Sequence, residues 1–310
     1  MKIINIDGKE FTISGRLIRT LALRDDIIDD VEDPNEIISF CHQKHVPADL
    51  LRFAQSIPDF SPKFNYHMDR DAIAAVPIST YENWLTKQVH PNTRNKIRKA
   101  EKKGVVVRVE RLSRRIAEGI AGIFNETPIR RGRKYSSYGR SVGMVEEEWS
   151  RDSKRNEFLV AYYKDEIIGF IQLVYAEKYA RTSGTVAKIA HRDKSPMNAL
   201  FAKAVEVCAS RKMQYLVYGR YEYGKKGADS LSLFKRNNGF QKIELPRYFI
   251  PLSLRGSVAL RLGVQNGLSS AVPGRMMNTL IHLRAAWYGE LPAGRRTGVG
   301  SAAKRTDGVG

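Results

Sequence analysis

Apolar residues change their spacing several times along the chain, and the spacing predicts the elements. "IINIDGKEFTI" alternates around Asp7-Gly8, a dipeptide suited to a tight turn, and reads as a hairpin. Two helices are predicted next, 35–44 opened by Pro34 and 48–56 opened by Pro47. "DAIAAVPIS" is a strand and a helix surrounds Trp84-Leu85. A helix with a thin apolar stripe of Ile97 and Ala100 follows, capped by Thr93 and ended by Gly104. "VVVRV" returns to a strand, and "SRRIAEGIAGIFNET" to a helix with Ile116, Ile120 and Ile123 inward.

The densest β pattern lies at 157–190. "EFLVAYYKDEIIGFIQLVYA" is a hairpin turning at Lys164-Asp165, and "ARTSGTVAKIAH" adds a third strand. A helix begins with Ser195 as its cap and Pro196 at its first position. Its Ala199, Leu200, Ala204, Val207 and Cys208 recur at helical spacing. "QYLVYG" is a buried strand, "DSLSLFKRN" a helix, and "NGFQKIEL" a turn into a last strand. Residues 254–266 and 273–288 read as amphipathic helices, and the Gly-, Ala- and Arg-rich end as a disordered tail. The expected fold class is therefore α/β (α+β), a mixed sheet flanked by helices. The expected divisions are 1–62, a hairpin and helical lead-in; 63–252, the main domain; 253–288, helices; and 289–310, tail.

Charge changes this picture by pointing to a partner. The formal net charge is +19, and residues 91–140 alone hold fifteen Lys or Arg against four Glu. Such concentration implies something anionic: nucleic acid, a membrane surface, or a phosphate-rich small molecule. No stretch approaches the roughly 20 apolar residues of a membrane span. "MKIINIDGKEF" has acids and a turn where a signal peptide needs an apolar core. With Cys41 and Cys208 the sole cysteines, no disulfide framework is readable and a cytoplasmic setting is expected. The histidines show no metal-ligand spacing, so no metal is expected.

The element order, closed by "NNGF", resembles the acyl-CoA N-acyltransferase superfamily, the GNAT fold. "LTKQVHPNTRNKIRKAEKKGVVV" and "FKRNNGF" resemble its FemAB-like branch, whose members carry a basic helix and a later F-K-x-x-x-G segment. The resemblance covers roughly residues 75–250. It implies an enzyme moving an acyl or aminoacyl group from acyl-CoA or aminoacyl-tRNA to an amine of an anionic acceptor, such as a nucleotide-linked sugar.

In such a fold the donor pyrophosphate sits at the N-terminus of the helix after the central strand, where N–H groups and the helix dipole favour an anion. Here that helix starts at Ser195, so Arg192, Lys194, Ser195 and Asn198 are candidate donor-binding residues. The family's Q/R-x-x-G-x-G/A segment is incomplete, however. Arg192 fills its first position, but Ser195 and Met197 replace small residues and Pro196 has no N–H. FemAB-like proteins often lack the segment and use aminoacyl-tRNA, which the departure favours.

A Lys stands at the FemAB-like "FK", and a cation aimed at a developing oxyanion makes Lys235 the first catalytic candidate. The plainer reading is a solvated helix lysine. In "FNETPIRRGRKYSSYGRS", Glu126 is a candidate base for an incoming amine. Arg130, Arg131, Arg133 and Tyr138 there are candidates for gripping phosphate or carboxylate, as are Arg94 and Arg98 on the basic helix. The plainer reading of Glu126 is a local pair with an arginine. In "YGRYEYGKK", Tyr221 and Tyr223 would line the donor cleft and Tyr218 would pack.

Two other classes compete. A non-catalytic nucleic-acid-binding protein would use the basic 91–140 surface, with its tyrosines and arginines interleaved. Membrane-surface attachment through the 254–266 and 273–288 helices is compatible with catalysis.

Overall fold

The structure is a computed structural model that describes residues 2–26, 29–130, 132–150, 155–221, 230–263 and 265. In chain order its elements begin with β1 (Lys2–Ile6), β2 (Lys9–Ser14), β3 (Thr20–Leu23), α1 (Pro34–Gln43), β4 (Leu50–Ala54) and β5 (His67–Pro77). The short α2 (Tyr81–Asn83) runs into a wide π-turn, Trp84–Gln88, before α3 (Pro91–Lys102) and β6 (Val105–Glu110). Next come α4 (Arg114–Phe124), the miniature pair β7 (Ile129–Arg130) and β8 (Arg133–Lys134), and α5 (Val142–Trp149). The hairpin β9 (Asn156–Tyr163) and β10 (Glu166–Tyr175) is followed by β11 (Tyr179–Ala187), a 3-10 turn (Ile189–Lys194) and α6 (Pro196–Ser210). The last elements are β12 (Tyr215–Arg220), α7 (Ser230–Asn237), β13 (Gln241–Pro251) and α8 (Leu254–Arg261).

Eleven strands form one mixed sheet in the order β1-β2-β3-β4-β13-β5-β12-β11-β10-β9-β6. The predicted hairpin at Asp7-Gly8 is β1–β2, with both turn residues at positive φ. Residues 48–56 are not the predicted helix. Leu50, Leu51, Phe53 and Ala54 are buried and pair in register with β13 and β3, so a strand buried on both faces looks like a short apolar helix in sequence. The strands before residue 62 thus extend the same sheet as those after it.

Side chains alternate between two faces. Ala180 of β11 and Leu216 of β12 join the core beneath α3 and α6, with Trp84, Ile97, Leu200 and Phe201. Their neighbours Tyr179 and Val217 join a smaller cluster on the opposite face, with Ile57, Ile73 and Leu245. Farther along, α4 and α5 pack Ile116, Ile120, Val145 and Trp149 against Phe158 and Phe170 of β9 and β10. Residues 1–257 form one compact unit, to which everything below belongs.

Two predicted caps are different in the structure. α3 starts two residues earlier than expected. Pro91 takes the first helical position, the His90 ring accepts from the Asn92 N–H at 3.2 Å, and Thr93 is buried within the first turn. Ser195 does precede α6, but it sits in the left-handed region at φ 56° and its hydroxyl makes no capping bond. The predicted 254–266 helix is α8, and the predicted 273–288 helix and 289–310 tail lie outside the described residues. Among the described residues no helix is long and apolar enough to cross a membrane.

Candidate functional site

Parallel strands β11 and β12 pair only at Tyr179–Tyr215, Ala180–Leu216 and Arg181–Val217. Beyond those pairs β11 continues to Ala187 and β12 to Arg220 without pairing to each other, so the sheet opens between them. At the same place β12 carries one extra residue against β5, between Val217 and Arg220, with Gly219 at φ 58°. Such a bulge shifts the alternation of side chains by one. Arg220 therefore lines the same recess as Val217, although strict alternation would set it beside Leu216 and Tyr218.

Lys235 of α7 reaches this bulge from the other side. Its side chain is fully buried, its ammonium donates to the Arg220 carbonyl, and it lies 4.9 Å from the Tyr218 ring centroid. That excludes the solvated-lysine reading. Removing an ammonium from water costs several kcal/mol unless it is well partnered, and a carbonyl with a ring face supplies that partnership. Tyr218 packs on Phe201 and Phe240 at 4.9 and 5.7 Å, as expected. Tyr221 is half-buried with its N–H on the Ala72 carbonyl at 2.9 Å. Tyr223 and Arg131 lie outside the described residues.

The basic helix is tied to this end of the molecule. The His90 N–H donates to the Asn237 carbonyl at 3.0 Å, and Trp84 Nε1 to the Asn238 carbonyl at 3.0 Å, fixing the start of α3 to the end of α7. Arg94 bends back onto the carbonyls of Leu85, Thr86 and Val89, at 2.8–3.3 Å, so its guanidinium closes the π-turn. Arg98 is exposed, along with Lys96, Lys99 and Lys102.

At the start of α6, expected to receive a pyrophosphate, most backbone N–H groups are already bonded within the turn or lacking. The Ser195 N–H bonds the Arg192 carbonyl, the Asn198 and Ala199 N–H groups bond the Ser195 carbonyl, and Pro196 has none. Just upstream, Glu126 accepts from the Ile189 N–H at 2.7 Å, the Ala190 N–H at 2.9 Å and Arg130 at 2.9 Å. Asp193 adds a second carboxylate, which Lys103, just past the end of α3, and Lys194 hold down to about 2. Arg192 is exposed, Lys194 lies 4.7 Å from the Tyr163 ring, and Asn198 is buried.

Glu126 thus follows the plainer reading of a local pair: with three hydrogen bonds its carboxylate is a clamp between α4 and the end of β11. Arg130 is half of that clamp, bonded also to the carbonyls of Ala187 and Ile123 at 2.9 and 2.8 Å and stacked 4.8 Å from the Tyr135 ring. Arg133 and Tyr138 are exposed nearby.

Sequence reading missed the recess on the opposite face. About 170 Å³ is enclosed among Arg52, Gln55, Asp26, Asp71, Arg220, Arg247, Tyr179 and the apolar Ile73, Val217 and Leu245. Arg247 engages both carboxylates, Asp26 at 2.7 Å and Asp71 at 2.6 Å. Arg52 is different: its Nε is buried with no hydrogen-bond partner among the described residues. Burial pulls its guanidinium below the ordinary value and repulsion from Arg247 adds to that, against the pull of Asp26 and Asp71. Burial also pushes the Tyr179 phenol up to about 12, so it stays neutral. One signal was visible in advance, a lone arginine inside the apolar strand "LLRFA".

Among the described residues no group of three His, Cys, Asp or Glu is placed to hold a metal ion.

Comparison with known proteins places the fold. No protein-family model matches the chain. No curated protein matches it. Solved structures do match. FemX superposes with a TM-score of 0.59 at 12% identity, over 84% of this chain and 89% of that one. The C-terminal domain of a protein assigned as a lysylphosphatidylglycerol synthetase from Agrobacterium fabrum gives 0.54 at 16%, over 84% and 86%. L-PGS from Bacillus licheniformis gives 0.52 at 17%, over 82% and 85%. At these identities the likeness shows the fold alone: this chain has a fold similar to that of FemX, as the resemblance of its two sequence motifs leads one to expect.

Proposed function

We propose, from this FemAB-like fold, that the chain is an acyltransferase that moves an aminoacyl group from tRNA to the amine of an anionic acceptor. The observation that carries the reading is Lys235, a buried ammonium held at the bulged end of β12, where the central strands part. A donor ester carbonyl seated in that opening would meet a cation on its oxygen. As the acceptor amine attacks, the C–N bond forms and the C–O bond of the ester breaks. The terminal ribose hydroxyl of the tRNA takes the proton that the amine gives up. Negative charge on the carbonyl oxygen peaks between these events, and an ammonium already in place there lowers the barrier without reorganising.

Choice of donor rests on the start of α6. An acyl-CoA held in the family's usual way needs several free N–H groups for its pyrophosphate, and here those of Ser195 and Asn198 are bonded and Pro196 has none, with two carboxylates beside them. A tRNA needs a basic surface instead. The exposed Lys96, Arg98, Lys99 and Lys102 provide one on a helix anchored to the Lys235 segment. The name of one similar protein, lysylphosphatidylglycerol synthetase, describes an aminoacyl product and supports the same class. Glu126 is given a positioning role here in place of proton abstraction.

Bulk tRNA charged with labelled amino acids, incubated with the protein and glycylglycine, tests the reading. Lys235→Gln, which keeps a donor for the Arg220 carbonyl but loses the charge, is expected to slow transfer by roughly 100- to 1,000-fold. An unchanged rate refutes the role of Lys235. Salt-dependent tRNA affinity without any transfer would favour the nucleic-acid-binding alternative.

A further inference from the structure

We infer that the recess on the far face of β12 is a carboxylate seat, read by Arg52 and Arg220. That the carboxylate belongs to the amine acceptor rests on the acyl-transfer reading above; that the recess takes a carboxylate does not.

Three observations converge. The first is charge. The recess is lined by Arg52, Arg220 and Arg247 against Asp26 and Asp71, which leaves one positive charge in excess. Arg247 takes both carboxylates, so the excess resides on Arg52 and Arg220. A single monoanion neutralises it. A phosphate dianion would overshoot, and a cationic group would find both acids already bonded.

The second is the state of Arg52. Arg52 shares a buried, unpartnered Nε with Arg130 and Arg181, but of the three it alone lines this recess, and arginine presents its donors as a planar fork matched to a carboxylate. Arg52 lines the recess, so a bound carboxylate would meet the part of that fork which faces it.

The third is size and place. At about 30 Å³ per water, roughly 170 Å³ holds five or six water-sized units. That is room for a carboxylate with a short aliphatic stem against Ile73, Val217 and Leu245. Arg220 joins the recess to the catalytic side: its side chain lines the recess while its backbone carbonyl accepts from Lys235. An acceptor whose carboxylate lies a few bonds from its amine, an amino acid or the end of a short peptide, would fit such a spacing.

Saturation-transfer NMR on the whole chain tests this without any donor. Glycylglycine is the probe, glycylglycinamide the control lacking the carboxylate, and inorganic phosphate the competing oxyanion. Glycylglycine should bind, and the amide should not. Arg52→Gln should weaken the dipeptide about ten- to hundredfold, the cost of a hydrogen bond to a charged group, and Arg220→Gln by about tenfold. Arg220 is exposed, so its variant remains informative if Arg52→Gln fails to fold. Equal binding of the amide, tighter binding of phosphate, no binding by the unaltered protein, or no effect of Arg220→Gln would each overturn the assignment. Dipeptide binding without turnover would instead sink the acyl-transfer reading and leave the seat standing.

Discussion

The start of α6 and the Arg52 recess are both places where a positive potential faces an opening in the sheet, and they end differently. At α6 the potential is spent internally. Glu126 sits on two backbone N–H groups and an arginine, Asp193 sits between two lysines, and the turn closes on itself. In the recess Arg247 absorbs both acids and leaves Arg52 with a buried donor unpaired. A helix N-terminus is an anion site only while its N–H groups are available, so fold position alone is a poor guide to binding. Buried Nε donors are left unpaired on both sides, at Arg52 and at Arg130, so an unsatisfied donor is a better guide only where its side chain lines a recess, as that of Arg52 does.

The contrast can be broken at several points. The largest effect is expected from Lys235→Gln, the 100- to 1,000-fold loss of transfer described above, with tRNA affinity retained. Next, Arg52→Gln should raise KM for a carboxylate-bearing acceptor about ten- to hundredfold with kcat little changed, because a seat remote from the reacting carbonyl binds ground and transition states alike. Steady-state kinetics with varied acceptor reads this; a fall in kcat at unchanged KM would move Arg52 into the chemistry.

Glu126→Ala comes third. It strips the acceptor from the Ile189 and Ala190 N–H groups and leaves Arg130 without its carboxylate, at about 1–3 kcal/mol for groups left unsatisfied. Urea unfolding should show that loss, with transfer reduced far less than by Lys235→Gln. A loss of transfer as deep as that of the lysine variant, at unchanged stability, would return Glu126 to the role of base.

The smallest effect concerns pH. Lys188 bonds Glu166 and holds its carboxyl below the ordinary 4.5, burial works against this, and His191 also lies 3.0 Å from it within the 3-10 turn. A lowered folded value gives stability that is present above the ordinary value and lost as pH falls through the lowered one. Because Glu166 is largely exposed, the contribution is small. Glu166→Gln should lower stability slightly and by a constant amount above pH about 4.5, and the difference from the unaltered protein should vanish in acid. A difference that instead varied with pH near 7 would mean that another group is responsible.

Much of this architecture was legible in the chain. The hairpin and third strand over 157–190 follow from their β-rich pattern, α6 from its Pro196 start and helical spacing, and Lys235 stands out because a motif marks it. Residues 48–56 were misread because a strand buried on both faces has no alternation to show. The recess was illegible for another reason. Arg52, Asp71, Arg220 and Arg247 come from four strands far apart in sequence, and only register brings them together. Whether an acid is committed to a neighbour, as Glu126 is, depends on backbone N–H groups more than sixty residues away.

The most direct test offers two donors in parallel to the unaltered protein with glycylglycine as acceptor: tRNA charged with labelled amino acids, and labelled acetyl-CoA. Label should pass from the tRNA to the dipeptide, and acetyl-CoA should yield no product above the uncatalysed rate. Efficient acetyl transfer from acetyl-CoA with none from tRNA would contradict the reading, because it would mean that the start of α6 accepts a pyrophosphate despite the groups that now fill it.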